Sequence, residues 1–349
     1  MSSITKSILA AQSASPSLIS GRHPLPRIVA LRLPDARADE IAIISHELRN
    51  SLAVVRNAAR LLRHPNGVEG ARMRRREFLS ACGGISLAAL STGRRVFAAA
   101  DADGLRIQRL AWAGIRLQLP QATLFIDPLI NADAWGPALK DRMVPVNDAV
   151  GDTYVLITHV HPDHFDPKAA EQALSKGGAL IYPAGTNPLP IPQGARARPA
   201  ALWEPQLLGD FTATAVPASD GYGDPQMSWV VSAGGLRIFH GGDTLWHGHW
   251  WRIGRQFGPF DAAFLPVNGA QFGWRKPVSG QPAVLTPEQA VAAANILGAR
   301  RVVPIHYGIS GLTEYTEVTD PVGRLRKAAN DKSVSIQPVD PGAWIDWSL

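Results

Sequence analysis

The chain has one cysteine, Cys82, in 349 residues, which excludes an internal disulfide framework and any zinc site built on thiolates. No run of about 18 apolar residues is present, so there is no ordinary transmembrane helix. Internal repeats and low-complexity tracts are absent, and no G-x-S-x-G elbow marks a serine hydrolase. Net positive charge is missing from most of the chain. Residues 101–349 hold 20 Lys+Arg against 23 Asp+Glu, whereas residues 1–100 hold 15 against 6. The net charge of +6 therefore belongs to the leading segment, and the body lacks the electrostatic footprint of a nucleic-acid binder. What is there is ordinary for a folded soluble protein: 46% hydrophobic and 18% charged residues exclude whole-chain disorder. The 28 prolines and 32 glycines imply many turns between short elements.

Residues 1–38, rich in Ser, Ala, Pro and Arg without periodicity, are expected to be disordered. Over 39–64 a helical stripe follows, with Ile41, Ile44, Leu48, Leu52, Val55, Ala59 and Leu62 at three- and four-residue spacing. His46, Glu47, Arg49, Asn50 and Arg56 lie on the opposite side. "SHELRNSLAVVRNAARLL" resembles the phosphoacceptor helix of sensor histidine kinases, with His46 at the phosphorylated position and Ser51 where that family usually has Pro. A second hairpin helix, an Asn-box and a Gly-rich lid are not found, and phosphoryl transfer needs nucleotide and metal positioning. The helix reads either as an isolated amphipathic segment left by a fusion or an upstream start codon, or as the phosphoacceptor or dimerisation module of a signalling protein with a metal-binding sensor domain.

Over 73–100, Arg75-Arg76-Glu77-Phe78-Leu79 resembles the twin-arginine export motif. It is followed by a moderately apolar stretch from Ala81 to Thr92 and by Ala98-Ala99-Ala100 as a small-residue cleavage site. Leu79-Ser80-Ala81-Cys82 imitates a lipoprotein box, but charged residues stand where its apolar stretch should be. If translation starts at Met73, the expectation is a periplasmic or exported protein carried by the twin-arginine machinery. Otherwise it is cytoplasmic.

The body, 105–349, alternates short β-rich runs with turns. Strands are expected over 106–110, 115–119, 123–126, 154–157, 179–182, 212–216, 228–232, 236–239 and 262–265. Helices are expected over 167–175 and 287–297, each opening on Pro. The mixture predicts an α+β, or mixed α/β, domain with antiparallel sheets.

At its centre stands "YVLITHVHPDHFD", an apolar strand running into three histidines and two aspartates. His159 and His161, two apart on extended chain, face the same way and can grip one ion. Asp163 and His164 follow the turn made by Pro162 and can reach a second. Imidazole suits zinc, iron or manganese, and the added carboxylates favour a hydrolytic site with open positions over a closed structural one.

The H-x-H-x-D-H pattern resembles the metallo-β-lactamase fold superfamily. Its four-layer αββα sandwich, with the metal site at one edge, is the fold that the resemblance implies. "TLFIDPLI" (123–130) resembles the strand and Asp-Pro of the branch containing ascorbate-6-phosphate lactonase and the phospholipase D of N-acyl-ethanolamine lipids. "LRIFHGGDTLW" (236–246) matches the family's strand and Gly-Asp motif, which implies that Asp243 bridges two metals. "VVPIHYG" (302–308) matches its last strand and implies that His306 holds the second metal. Where the family commonly closes the first site with a histidine, "TAVPASDGYGDP" offers Asp220. It is either an oxygen ligand that shifts preference from zinc toward manganese or iron or a turn residue beside Gly221. The cofactor implied is two divalent metal ions, zinc first.

Of the remaining histidines, His240 reads as core or as packing behind the ligands. His247, in "DTLWHGHW" beside Trp246, Trp250 and Trp251, reads either as a proton donor or substrate clamp on the pocket wall or as a surface or packing residue, and Tyr222 is a candidate for the pocket wall. The resemblance implies a metal-dependent hydrolase that turns a metal-bound hydroxide on an ester, lactone or phosphodiester, with Asp163 and Asp243 in catalytic roles. The neutral-to-acidic body and the segments 246–251 and 272–274 suit a small-molecule or lipid-like substrate rather than a polynucleotide.

Overall fold

The computed structural model describes residues 104–174, 178–186, 191 and 194–348, all within one compact unit. The helix carrying His46 and the twin-arginine segment lie outside the described residues.

Two sheets carry the unit. The first is formed by β1 (Arg106–Arg109), β2 (Ile115–Leu119), β3 (Ala122–Ile126), β4 (Asp152–Leu156), β5 (Ala179–Pro183) and β6 (Arg196–Ala200), side by side in that order. The second is ordered β15 (Ser335–Ile336), β13 (Arg301–Ile305), β11 (Ala262–Pro266), β10 (Leu236–His240), β9 (Met227–Ala233), β8 (Phe211–Pro217) and β7 (Pro205–Leu208). A two-stranded ribbon joins β12 (Gln271–Phe272) to β14 (Tyr315–Thr316). The expected antiparallel sheets are corrected to mixed ones. Pairing is antiparallel across β1–β2–β3 and parallel from β3 to β6. In the second sheet it is antiparallel across β7–β8–β9–β10 and parallel from β10 to β15.

Strand alternation separates the layers. On β10, Leu236 and Ile238 point into the core shared by both sheets, while Phe239 packs on the outer side. On β11, Ala262 and Phe264 point inward and Ala263 and Leu265 outward. On the first sheet, Leu124, Ile126 and Leu156 join the shared core, whereas Phe125 and Val155 face the opposite side. The outer face of the second sheet is covered by α2 (Trp250–Phe257), α3 (Pro287–Leu297) and α4 (Pro321–Ala329) through Trp250, Ile253, Val291 and Leu325. The outer face of the first is covered by α1 (Pro167–Ala173) through Ala170 and Ala173. The result is the expected αββα sandwich, and burying each large aliphatic or aromatic side chain in it stabilises the fold by about 1.5–3 kcal/mol.

Local chemistry sets the helix ends. Thr286 and Gln289 form a reciprocal capping box on α3, Pro287 opens it, and Gly298 closes it at φ 66°. Asp166 caps α1 by accepting from the backbone N–H of Lys168 and Ala169. Strands β6 and β7 were not expected. "RARPA" and "PQLL" lack apolar alternation because both are edge strands, the place where Pro and charge are tolerated.

Candidate metal centre

Five strands end on one rim, and each delivers site residues from its C-terminal end. Asp127 follows β3, the His159–His164 cluster follows β4, Asp220 follows β8, Asp243 follows β10 and His306 follows β13. Three non-glycine residues there, Trp112, Asp127 and His306, hold positive φ values of 57°, 46° and 56°. Such backbone conformations are costly and persist where surrounding structure over-determines them. The Gly-Gly turn that presents Asp243 has its own requirement. Gly242 sits at φ 65°, with the Thr158 side chain 3.1 Å from where a Cβ would stand, so glycine lets the turn close against β4's extension.

The seven ligands expected from the sequence come together. Donor atoms of His159, His161, Asp220 and Asp243 lie within 4.8 Å of one another, as do those of His164, Asp243 and His306, and those of His159, Asp163 and His164. Asp243 belongs to the first two groups: its Oδ1 is 3.7 Å from His159 Nε2 and its Oδ2 3.9 Å from His306 Nε2. Asp163 Oδ2 is 3.8 Å from His306 Nε2 and 3.9 Å from His164 Nε2. Asp220 is a turn residue and also faces the cluster. Its Oδ1 accepts from the backbone N–H of Tyr222 and Asp224, and its Oδ2 lies 3.8 Å from His161 Nδ1.

The outer partners of these ligands fix which nitrogen faces inward. Asp127, fully buried, accepts from the Thr158 backbone N–H at 2.8 Å, from Thr158 Oγ1 at 2.6 Å and from His164 Nδ1 at 2.8 Å. With its own proton given to Asp127, Thr158 Oγ1 accepts from His159 Nδ1 at 3.1 Å. His161 Nε2 is 3.0 Å from Asp224. Gln226 Nε2 donates to Asp243 Oδ1 at 2.7 Å and Trp112 Nε1 to Asp163 Oδ2 at 3.2 Å, while Trp112 also packs on the His306 ring. Carboxylates and hydroxyls behind histidines in this way hold the ring and tautomer for metal ligation. Sequence reasoning missed these supports. Asp127 was visible only as part of an Ile-Asp-Pro strand end and Asp224 as a second acid four residues past Asp220, while Thr158, Gln226 and Trp112 carried no signal.

The residues fit a metal. His159 Nε2, His164 Nε2, Asp220 Oδ2 and both His306 nitrogens are buried and lack a hydrogen-bond partner among the described residues. Leaving such atoms unsatisfied costs about 1–3 kcal/mol each, and a cation at the cluster satisfies the inward-facing ones together. Electrostatics agree. Burial, reinforced by His164, pushes His159 and His306 well below the usual imidazole range, so both present neutral lone pairs. Burial also lifts Asp243 to about 6, with Asp163 and Asp220 adding to the rise against the pull of His164 and His161. At His164 burial works downward, but Asp163 and Asp127 outweigh it and raise the ring to about 9. A metal at His164 therefore displaces a proton.

Two histidines stand apart. His240 donates from Nε2 to the Ala113 carbonyl at 2.8 Å and accepts the Gly242 N–H on Nδ1. Both nitrogens are used, and the ring holds the Gly-Gly turn. His247 is placed differently from the proton donor or clamp expected of it. Its ring stacks on Trp250 at 4.2 Å and 11°, and its Nδ1 accepts the His249 N–H. It is not among the residues lining the cavity over the cluster. The cause is local: the chain turns into α2 at Trp250, whose buried indole takes the imidazole face.

That cavity, about 350 Å³, has the ligands His161, Asp163, Asp243 and His306 as its floor and an aromatic wall that includes Tyr222, Phe272 and Trp274. Of the two tryptophan-rich segments, 272–274 lines it and 246–251 does not. Among the described residues, no helix is long and apolar enough to cross a membrane.

Comparison with known proteins agrees with this geometry. Residues 122–307 match the family described as beta-lactamase superfamily domain. A UPF0173 metal-dependent hydrolase of Rubrobacter xylanophilus is 32% identical over 222 residues, 59% of this chain and 82% of that protein. Another, from Thermus thermophilus, is 26% identical over 68% of this chain and 97% of its own length. A metallo hydrolase of the archaeon Ignicoccus hospitalis superposes with a TM-score of 0.50 at 18% identity, over 69% of this chain and 97% of that one, a likeness of fold alone. With the family spanning β3 to the residues just past β13, and with a relative matched over most of its length, the chain belongs to the beta-lactamase superfamily, among its UPF0173 metal-dependent hydrolases.

Proposed function

We propose that the protein hydrolyses an ester, lactone or phosphodiester of a small or amphipathic substrate with two divalent metal ions, zinc first and manganese or iron as alternatives. The observation that carries this reading is the sharing of Asp243 between two ligand groups. His159, His161 and Asp220 would hold one ion, Asp163, His164 and His306 the other, with Asp243 between them. Bound there, divalent cations supply Lewis acidity that acidifies water and polarises a scissile carbonyl or phosphoryl group.

The protein's own residues do the rest. Asp163, steadied by Trp112 Nε1, orients the attacking water. Gln226 keeps Asp243 Oδ1 turned to the cluster. Asp127 and Asp224 fix the rings of His164 and His161. The aromatic wall restricts bulk water at the reacting group. Asp220 in place of a histidine gives the first site a harder, more anionic donor set.

The full chain, purified and assayed with zinc, manganese and iron against ester, lactone, phosphodiester and β-lactam panels, tests the reading. Metal-dependent turnover that disappears in Asp243→Ala supports it, and turnover unchanged by chelation or by that substitution refutes it. Export by the twin-arginine route is proposed for translation from Met73, and the N-terminal residue of the mature protein decides that point.

A further inference from the structure

The cavity divides sharply by charge. Its acids and histidines are the floor residues, whereas the wall is Trp135, Tyr222, Phe272, Trp274 and Tyr315, with no charged side chain among them. Phe272 and Trp274 lie 4.9 Å apart with planes 15° apart, Trp274 and Tyr315 6.2 Å apart at 12°, and Trp135 packs on Tyr315 at 4.7 Å. The Arg275 guanidinium lies over the Tyr222 ring at 3.8 Å, and Arg275 is not a lining residue. Trp274 Nε1 donates to the Tyr222 hydroxyl at 2.6 Å and ties the two loops of the mouth together. The wall is therefore built before substrate arrives.

Charge at the floor points the same way. Asp163, Asp220 and Asp243 offset three of the four positive charges of two divalent ions. The attacking hydroxide would offset the fourth and leave the site neutral, where a histidine at position 220 would leave one net positive charge. A neutral ester adds no charge to that site, and the oxyanion it forms carries only the charge the hydroxide brought. A phosphodiester enters with a negative charge and develops more, and the wall offers nothing to neutralise it.

Resting on the hydrolase reading above, we propose that the substrate is a neutral carboxylic ester or lactone bearing a planar aromatic group that stacks on the Phe272–Trp274–Tyr315 wall. The reaction adds one water across the acyl C–O bond. The water oxygen goes to the carbonyl carbon, a proton goes to the leaving oxygen, and no redox partner is needed.

The test uses the full chain in two arms. With zinc, kcat/KM is compared for methyl phenylacetate, methyl acetate and diphenyl phosphate. Without metal, phenylacetamide binding is measured by calorimetry in the wild type, Trp274→Leu and Phe272→Leu. The expectation is at least a tenfold preference for methyl phenylacetate over methyl acetate, and at least a hundredfold over diphenyl phosphate. Binding of phenylacetamide should weaken about tenfold in either variant, the scale of losing one aromatic contact. Equal turnover of the two methyl esters, comparable turnover of diphenyl phosphate, or phenylacetamide binding indifferent to both substitutions overturns the proposal. If no substrate is turned over, the hydrolase reading fails, and the binding arm decides the aromatic wall by itself.

Discussion

His164 and His247 are both buried imidazoles whose Nδ1 is engaged and whose Nε2 finds no partner among the described residues. Their surroundings drive them apart. His164 gives its Nδ1 proton to Asp127, so in its neutral form Nε2 is a lone pair, aimed at a cluster with Asp163 3.9 Å away. His247 accepts the His249 N–H on Nδ1, so its Nε2 carries the proton and cannot ligate. Burial lowers both, but carboxylates reverse the effect at His164, to about 9, while nearby His249 deepens it at His247, to about 4. An unpartnered nitrogen thus points to a metal only where the ring's other nitrogen is a donor and acids stand around it.

The largest effect that tests this contrast is at the shared acid. Asp243→Ala removes a donor from two groups at once. Hydrolysis should fall on the order of a thousandfold or more, with the metal content of the purified protein reduced as well. Full metal loading and full activity in that variant would show that the two groups do not act as one centre. His247→Ala, by contrast, should retain its metal.

The outer acids come next. Asp127→Ala strips three donors of their acceptor at a fully buried position, and metal affinity should drop roughly 10–100-fold, as for other carboxylates behind metal-bound histidines. Asp224 supports His161 from a half-exposed position, where water can replace it, so Asp224→Ala should cost at most about tenfold. A competitive chelator titration measures both. Equal losses would mean that burial of the supporting acid is irrelevant.

Much of this was legible in the sequence, for physical reasons. Ligands clustered on one turn declare themselves by spacing, as 159–164 did, and α3 was framed by the proline that opens it. Asp243 and His306 were legible because each ends an apolar strand in a motif that resembles the family's. What escaped depends on pairing across the fold. The parallel halves of the sheets follow from strand order, and the edge strands β6 and β7 bury too little to show periodicity. Asp127 and Trp112 reach the site only because β3 lies beside β4 and because the backbone at Trp112 turns to positive φ. His247 stayed open between two roles because a histidine among tryptophans reads alike whether the rings line a cavity or stack in the core.

The smallest expected effect separates stability from catalysis at His247. Its folded-state value is depressed, so the contribution to stability is fully present above the unfolded value near 6.5. It is lost as pH falls toward about 4, because the unfolded chain takes up the proton first. The loss across that window should be on the order of 1–3 kcal/mol. His159, His240 and His306 are depressed as well, so the wild type alone cannot isolate the effect, and the informative quantity is a difference in slope. Urea midpoints at pH 7 and pH 4.5 should differ less in His247→Gln than in the wild type, while hydrolysis at pH 7 stays within about twofold. Parallel slopes would remove His247 from the acid-sensitive core. A large loss of kcat with normal metal content would return it to the reaction as a proton donor, against the stacking on Trp250 that now holds it away from the cavity.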